Sequence, residues 1–366
     1  MLTIAEEWLN SCSGCEIAVL NLGETLLDVL PRLNIVHMPV LVDNKYHGPL
    51  GTARLDIPPA DVGFVSGGVR NTEHVEVLRR MRARVKVLVA LGSCAATGGL
   101  PGLGNLCGVE ALQDAAFAQA PSLGSGPHAR PYVCADAERD ARPGVSSDVR
   151  PDACPAACPD VRLAIPPDVG LPDLGPARFG APRQGIPSLL PQCTPLSAHV
   201  PVDLVLPGCP PHPDWIAETV LSLLEGRPAV LPDRSVCSLC PARRSAFPGR
   251  RRGRVRRMLE QPVYDAEKPL SHMQCLLEQG FLCLGPVTLA GCGGRTGAPR
   301  CIAARTPCRG CQGPVGHGSL AAADYMGALA AAGINGADMP DKPGYLSRFH
   351  AAHAGLRQLL EEQAHE

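Results

Sequence analysis

Apolar residues in the first part of the chain fall into two kinds of stretch. Short runs rich in β-branched residues, which end in Gly, Asn, Asp or Ser as buried parallel strands do, are LNIVHMPVLVD, DVGFVSGGV, VKVLVALGSCA and VDLVLPGCP. Between them, EIAVLNLGETLLDVLPRL, NTEHVEVLRRMRARV and HPDWIAETVLSLLEG repeat apolar residues at helical intervals. The second helix is expected to begin at Asn71 or Thr72, and the third to end at Gly226. This alternation predicts a doubly wound α/β domain built on a parallel sheet.

The pattern changes along the chain, which predicts three regions. Residues 1–230 form the α/β domain, interrupted at about 107–200 by an insertion rich in proline and glycine that predicts loops. Residues 231–320 combine many cysteines with few regular apolar patterns, so we expect metal to hold this region together. Residues 321–366 predict a helical tail, in which SLAAADYMGALAAAGING is too short and too interrupted for a membrane span.

Charge and cysteine content narrow the functional classes. The formal net charge of -1 gives no field that would attract nucleic acid or an anionic membrane. MLTIAEEWLN has neither a basic nor an apolar leader region, so no secretory or twin-arginine signal is expected, and we predict a cytoplasmic protein. Because disulfides do not persist in a reducing compartment, 17 cysteines indicate metal or redox chemistry.

Four cysteines are expected at one edge of the sheet. Cys12 and Cys15 follow the first strand, Cys94 follows VKVLVALGS and Cys209 follows VDLVLPG. Ligands of open α/β folds bind at the carboxyl ends of strands, and helices beginning at Glu16, after Ala95 and near His212 would stabilise thiolates there. We expect Glu16 to cap the first of these helices, and a proton relay is its alternative role. A thioredoxin-like dithiol would need only the Cys12–Cys15 pair, whereas all four thiols fit a four-thiolate site.

A second group of cysteines lies between residues 235 and 313. Cys-x-x-Cys pairs supply two ligands from one turn, and surrounding glycines supply N–H groups for sulfur. Such pairs also build closed structural zinc sites, so a zinc-stabilised scaffold is the alternative to iron–sulfur clusters. The thiols of this group are Cys237, Cys240, Cys275, Cys283, Cys292, Cys301, Cys308 and Cys311.

Five segments carry a family resemblance: CSGCE, GSCAATGGLPGLGN, PGCPPHPDWI, CLLEQGFLCLGPVTLAGCGG and PCRGCQGP. Together they resemble the small, electron-transferring subunit of cytosolic [NiFe] hydrogenases of the methyl-viologen-reducing, deazaflavin-non-reducing type. The resemblance implies a flavodoxin-like α/β domain followed by a loop-rich iron–sulfur cluster-binding region. It also implies an oxidoreductase subunit that relays electrons during reversible oxidation of molecular hydrogen, with the nickel–iron site on a separate large subunit.

The resemblance further implies three [4Fe–4S] clusters with four ligands each. The proximal cluster, facing the large subunit, takes Cys12, Cys15, Cys94 and Cys209. The medial cluster takes Cys292, Cys301, Cys308 and Cys311. The distal cluster takes Cys237, Cys240, Cys275 and Cys283. A further redox protein, either a [2Fe–2S] subunit or a heterodisulfide-reductase-like complex, is expected near the distal cluster.

The sequence departs from the family pattern at two places. The segment GGRTGAPR lengthens the gap between Cys292 and Cys301, and Ile302 stands where a proline is expected, so Cys301 is the ligand most affected. The insertion is also longer than usual, and its cysteines are expected to be free or buried thiols: Cys107, Cys134, Cys154, Cys158 and Cys193. An arginine-rich run after Cys240 predicts a solvated face or a dock for an acidic redox protein.

Overall fold

The computed structural model describes residues 1–39, 57–118, 187–245, 255–256, 260–316 and 321–352. The chain divides into two compact units, of which the first combines Met1–Ala115 with Gly185–Glu366 and the second is Ala116–Gln184. Within the second unit, only residues 116–118 are described. The architecture below is therefore that of the first unit.

A five-stranded parallel sheet forms the centre of the α/β part. Its strands are β1 (Leu2–Trp8), β2 (Leu33–His37), β3 (Ala60–Ser66), β5 (Val85–Leu91) and β7 (Leu204–Leu206). They lie in the order β2-β1-β3-β5-β7, which is the flavodoxin-like order with its reversal between β1 and β3. A separate antiparallel pair joins β4 (Val69–Asn71) to β6 (Leu189–Thr194). The flavodoxin-like parallel fold expected from the sequence is confirmed.

Helices connect these strands and continue into the cysteine-rich part. They are α1 (Gly14–Leu20), α2 (Glu24–Val29), α3 (Thr72–Arg84), α4 (Gly92–Thr97), α5 (Val109–Ala118), α6 (Pro213–Glu225), α7 (Val236–Leu239), α8 (Arg300–Ala303), α9 (Ala321–Ala331) and α10 (Lys342–Ser347). Short 3-10 turns occupy Leu30–Arg32, Leu100–Leu106, Leu196–Ala198, Leu270–His272 and Gly336–Asp338. None of the described helices is long and apolar enough to cross a membrane.

The helix boundaries follow local chemistry. Asn71 caps α3, because its side-chain Oδ1 accepts a 2.8 Å hydrogen bond from the His74 N–H. Helix α6 ends at Gly226, which adopts φ 66°. The prediction of a single first helix is wrong, because Gly23, at φ 59°, separates α1 from α2.

Both faces of the sheet are covered, as a doubly wound fold requires. Val77, Leu78 and Met81 of α3 belong to one buried cluster with inward residues of the strands. Helices α1, α2 and α6 contribute to a second buried cluster, which includes Ala18 and Ile216. These two layers fix the strand ends that carry the first set of thiols.

The cysteine-rich part folds mostly as turns packed around small apolar clusters. In one of these clusters, Tyr325 and Leu329 of α9 pack with Cys283 and Cys308. Leu346 of α10 joins the same cluster. The C-terminal helices therefore cover the cysteine-rich part and help to enclose its thiols.

Candidate iron–sulfur cluster sites

The proximal thiols come together at the carboxyl edge of the sheet. Cys12 and Cys15 follow β1, Cys94 follows β5 and Cys209 follows β7. Burial raises the pKa of Cys15 well above its usual range, and nearby Glu16, Cys94, Cys209 and Cys12 raise it further. The four thiols are therefore electrostatic neighbours. Helix α4 begins at Gly92, so Cys94 lies inside this helix rather than before it as the sequence predicted.

Two glycines leave the space that these sulfurs occupy. Gly92 has φ 85°, and a Cβ atom at this position would overlap the Cys15 sulfur. Gly99 has φ 53°, and a Cβ atom there would lie 2.6 Å from the Cys94 sulfur. Neither position tolerates a side chain, because both the backbone conformation and the sulfur oppose it.

Buried acidic residues beside the proximal set were missed by the sequence analysis. Glu16 does not cap α1; its carboxylate accepts a hydrogen bond from the Ser66 hydroxyl at the end of β3. Burial and, to a lesser extent, the neighbouring carboxylates of Glu16 and Glu7 together raise the pKa of Glu6 to about 8. The sequence pattern of β1 does not indicate that these carboxyl groups are buried. Side chains alternate between the two faces of a strand, so one of Glu6 and Glu7 would be expected on an exposed face, yet both are buried.

The medial thiols also lie together. Burial and, to a lesser extent, the thiols of Cys292, Cys301 and Cys209 together raise the pKa of Cys311 to about 12. Burial likewise raises the pKa of Cys308 to about 12, with smaller contributions from Cys311 and Cys301. The structure therefore brings Cys301 to the other three medial thiols despite the longer gap before it.

The long gap is held against helix α6. The Arg295 guanidinium donates a 2.6 Å hydrogen bond to Glu218, and the Arg295 backbone N–H donates to Asp214 at 2.9 Å. The same guanidinium lies 5.4 Å from the centroid of the Trp215 ring, whose indole N–H donates to the Gly291 carbonyl at 2.8 Å. GGRTGAPR is therefore an anchored loop that returns the chain to Cys301 at the start of α8.

The distal thiols line one cavity. Burial and, to a lesser extent, the thiols of Cys283, Cys275 and Cys240 raise the pKa of Cys237 to about 12 against the opposing effect of Arg244. The four thiols border a space of about 360 Å³, open in part to solvent. The Arg244 guanidinium donates a hydrogen bond to the Cys237 carbonyl and thus lies at the rim of the set.

Hydrogen bonds join the three sets in a row. The backbone N–H of Cys308, in the medial set, donates to the sulfur of Cys283, in the distal set, at 3.2 Å. At the other end, the Ser93 hydroxyl, next to Cys94 of the proximal set, donates to the carbonyl of Cys311, in the medial set, at 2.5 Å. The same hydroxyl accepts a 3.0 Å hydrogen bond from the N–H of Gly208, the residue before Cys209. Contacts within the chain thus place the set of Cys292, Cys301, Cys308 and Cys311 between the other two sets.

The chemistry of these donors fits iron–sulfur clusters. Burial raises the pKa of the Cys283 thiol, whereas the backbone N–H of Cys308 donates to its sulfur at 3.2 Å and lowers that pKa. Such N–H donors are typical of cluster thiolates. Among the described residues, no three Cys, His, Asp or Glu side chains are arranged to hold a single metal ion. Cluster ligands need not converge on one point, because each thiolate binds its own iron.

The described cysteines outside these sets are Cys107 and Cys193. Cys107 is exposed, whereas Cys193 is buried, and neither forms a disulfide. The side-chain amide of Asn10 lies 3.9 Å from the Cys193 sulfur. Cys134, Cys154 and Cys158, which the sequence analysis also considered, lie outside the described residues.

Comparison with known proteins relates the chain to hydrogenases. Residues 12–223 match the family described as NADH ubiquinone oxidoreductase, 20 Kd subunit. One subunit of the F420-non-reducing hydrogenase vhu of Methanocaldococcus jannaschii is 31% identical, over 93% of this chain and 92% of that protein. The iron-sulfur subunit of the F420-non-reducing hydrogenase of Archaeoglobus profundus is 30% identical, over 86% of this chain and 83% of that protein.

Among solved structures, a chain of an NAD+-reducing [NiFe]-hydrogenase in the H2-reduced state matches 63% of this chain and 95% of its own length. Its sequence identity is 26% and its TM-score 0.43. The family match spans more than half of the chain, and the archaeal relatives match over nearly their full lengths. The chain therefore belongs to the NADH ubiquinone oxidoreductase 20 Kd subunit family and, within it, to the small subunits of hydrogenases.

Proposed function

We propose that the chain is the iron–sulfur subunit of a [NiFe] hydrogenase. It relays electrons between the nickel–iron site of a partner large subunit and an external redox protein during reversible oxidation of molecular hydrogen. The assignment of the three thiol sets as proximal, medial and distal cluster ligands is part of this proposal. Three domains follow from it: residues 1–230 for the proximal site with the 107–200 insertion, residues 231–320 for the other two sites, and residues 321–366 as a tail.

The observation that carries the proposal is the row of thiol sets. A structural zinc scaffold or a dithiol oxidoreductase has no need of three adjacent sets. Electron transfer needs carriers in succession, and the Ser93–Cys311 and Cys308–Cys283 hydrogen bonds bring neighbouring sets together. When bound, each [4Fe–4S] cluster supplies a one-electron carrier. The chain supplies the thiolates, the N–H donors to sulfur and an apolar enclosure.

Apolar side chains next to the proximal set support docking of a large subunit there. Ile17 and Leu20 of α1 are 54% and 51% exposed, and Leu27 of α2 is 67% exposed. Exposed apolar groups of this kind are typical of protein interfaces. Cys15 lies within α1, and α2 follows it, so the covered face would be the one nearest the proximal thiols.

The surface at the distal set supports a second, acidic redox partner. Arg243 and Arg244 follow Cys240, and the Arg256 guanidinium lies 5.7 Å from the centroid of the Phe281 ring. Exposed apolar side chains nearby in sequence, Leu239 and Val263, add to this surface. Positive groups around an electron exit favour encounter with an acidic protein. The remaining arginines of this run lie outside the described residues: Arg250, Arg251, Arg252, Arg254 and Arg257.

The location proposed for this complex is the cytoplasm. Seventeen cysteines and twelve proposed thiolate ligands suit a reducing compartment, in which thiols are kept from forming disulfides. Burial keeps the cluster-free thiols protonated by raising their pKa, as at Cys15 and Cys237, so cluster assembly must release protons.

Metal analysis of the anaerobically purified chain tests the proposal. We expect about twelve iron atoms per chain with matching acid-labile sulfide, since each of three cubane clusters holds four irons. Stoichiometric zinc without labile sulfide would instead identify a structural scaffold. Metal-free protein with a reactive Cys12–Cys15 pair would identify a dithiol oxidoreductase.

A further inference from the structure

A buried tyrosine lies beside the junction of the distal and medial sets. Tyr325 of α9 is 0% exposed and packs in the same apolar cluster as Cys283 and Cys308. Its hydroxyl oxygen is buried and has no hydrogen-bond partner among the described residues. A buried hydroxyl left without a partner is unfavourable. Within the described part of the chain, no group therefore serves as the acceptor that this hydroxyl needs.

The thiols of Cys283 and Cys308 lie in the same buried cluster as that side chain. Burial raises the pKa of Tyr325 well above its usual range, and Tyr345, Cys283 and Cys308 raise it further. The phenol oxygen is thus within electrostatic reach of both thiols at the junction. The hydroxyl of the neighbouring Tyr345 already has an acceptor, because it donates a hydrogen bond to the Leu282 carbonyl. Of the two tyrosines, only Tyr325 has a hydrogen to offer to sulfur.

Sulfur at this junction already accepts hydrogen bonds. Cys283 accepts one from the Cys308 N–H at 3.2 Å. Hydrogen bonds to cluster sulfur raise the reduction potential, because the added electron increases the negative charge that the donor faces. In an apolar, low-dielectric enclosure such as the one formed by α9, this effect is larger than at a surface.

We propose that the Tyr325 hydroxyl donates a hydrogen bond to sulfur of the distal cluster beside Cys283 and thereby raises the reduction potential of that cluster. This inference rests on the proposed function, since it requires that Cys237, Cys240, Cys275 and Cys283 hold a cluster. Tyr325 binds no iron itself and acts as a positioning residue for electron transfer. The phenol makes the distal cluster easier to reduce, so the transferred electron is more stable on the distal cluster, at the exit end of the row.

Tyr325→Phe removes the hydroxyl and keeps the ring, and Tyr345→Phe is the matched control. Both variants are purified anaerobically in complex with the large subunit and titrated with electron paramagnetic resonance detection. The distal signal is identified as the one that Cys240→Ala abolishes. With iron content unchanged, Tyr325→Phe should lower the distal midpoint potential by roughly a tenfold change in the one-electron equilibrium, about 59 mV. Tyr345→Phe should leave it at the wild-type value.

A second variant covers the case in which Tyr325→Phe does not fold. Replacement of Tyr325 by 3-fluorotyrosine keeps the hydroxyl and makes it a stronger donor, so the distal midpoint potential should rise. An unshifted potential in either variant overturns the inference, and so do equal shifts in the two Phe variants, which would indicate a packing effect. Iron and labile sulfide are measured first on the wild-type complex, and their absence would refute the proposed function instead.

Discussion

At the residue scale, single side chains decide whether the thiol sets can form. The proximal set needs glycine where the chain passes beside a sulfur, as at Gly92 and Gly99. It also lies next to carboxyl groups that the sheet buries, of which Glu6 is 4% exposed. Both features place constraints on individual positions that can be tested one residue at a time.

Gly92→Ala should remove the proximal cluster. The new methyl group overlaps the Cys15 sulfur, and alanine at φ 85° also strains the backbone. Iron content should fall by about four atoms per chain, as expected for loss of one cubane. The control is Gly226→Ala, at φ 66° with no atom within 4 Å of the new Cβ, which carries similar backbone strain away from any thiol. Equal iron in the two variants would contradict the prediction.

Glu6→Gln should remove a pH dependence of stability. The folded pKa of Glu6 is raised by burial to about 8 from an ordinary value of 4.5, so the folded state keeps a proton that the unfolded state releases. The stabilisation from this proton is complete below about pH 4.5 and is lost as the pH rises towards 8, on the order of 1 kcal/mol per pH unit.

The glutamine variant should therefore be more stable than wild type at pH 8 and nearly equal to it at pH 5. Urea denaturation followed by circular dichroism under anaerobic conditions measures this difference. Glu24→Gln, at an exposed position in α2, is the control and should leave the pH dependence unchanged. A wild-type stability that rises between pH 5 and pH 8, and falls on substitution of Glu6, would refute the protonated state.

At the element scale, helix α6 serves both halves of the structure. Its inner face packs on the sheet through Ile216 and Val220, while its acidic face holds the loop that precedes Cys301. Glu218 is 5% exposed and pairs with both Arg227 and Arg295, and these cations hold its pKa well below the usual range. The loop and the helix end thus share one buried carboxylate.

Arg295→Met should weaken the medial site. The substitution keeps an apolar side chain over Trp215 but removes the ion pair between the loop and Glu218. Because the loop sets the path from Cys292 to Cys301, iron content should fall by up to about four atoms per chain, and the medial resonance should change.

Arg227→Met is the matched control for this change. It removes the other partner of Glu218, at 2.6 Å, but does not touch the loop. We expect a modest loss of stability, since a charged hydrogen bond is removed, with the medial resonance unchanged. Identical medial spectra and iron contents in wild type and Arg295→Met would show that the loop needs no anchor.

At the scale of the whole molecule, the row of thiol sets connects two surfaces. The proximal set lies by the exposed apolar side chains of α1 and α2, and the distal set lies by Arg243 and Arg244. The medial set lies between them through its contacts to Ser93 and Cys283. Loss of a medial ligand should therefore stop electron transfer between the proximal and distal sets without stopping the chemistry at the nickel site.

Cys308→Ala should uncouple the nickel site from the electron exit. In the complex with the large subunit, hydrogen–deuterium exchange, which needs only the nickel site, should persist. Hydrogen-dependent reduction of the external redox protein should be largely lost, because a medial ligand is missing. Cys107→Ala, which changes an exposed thiol outside the three sets, should affect neither rate. If Cys308→Ala reduced the external redox protein at the full wild-type rate, Cys308 would not be required for electron transfer.

The sequence by itself determined the elements and the kind of chemistry. Strand and helix patterns are local, so β3, β5 and β7, the cap at Asn71 and the end of α6 at Gly226 follow from neighbouring residues. The cysteine motifs likewise predicted a hydrogenase small subunit, which the relatives confirm. Local patterns failed at Gly23, where one long helical stretch is divided in two, and at β1, which buries glutamates.

Only the tertiary structure decided which distant groups meet. The contact of Cys308 with Cys283 spans 25 positions, and that of Arg295 with Glu218 spans 77. No spacing rule encodes such pairs, because they depend on how helices and turns pack around a common core. The same holds for Tyr325, whose place in an apolar helix predicts burial but not a hydroxyl beside two thiols. Packing across the chain, rather than local pattern, therefore sets the order of the sites and the surroundings of their sulfurs.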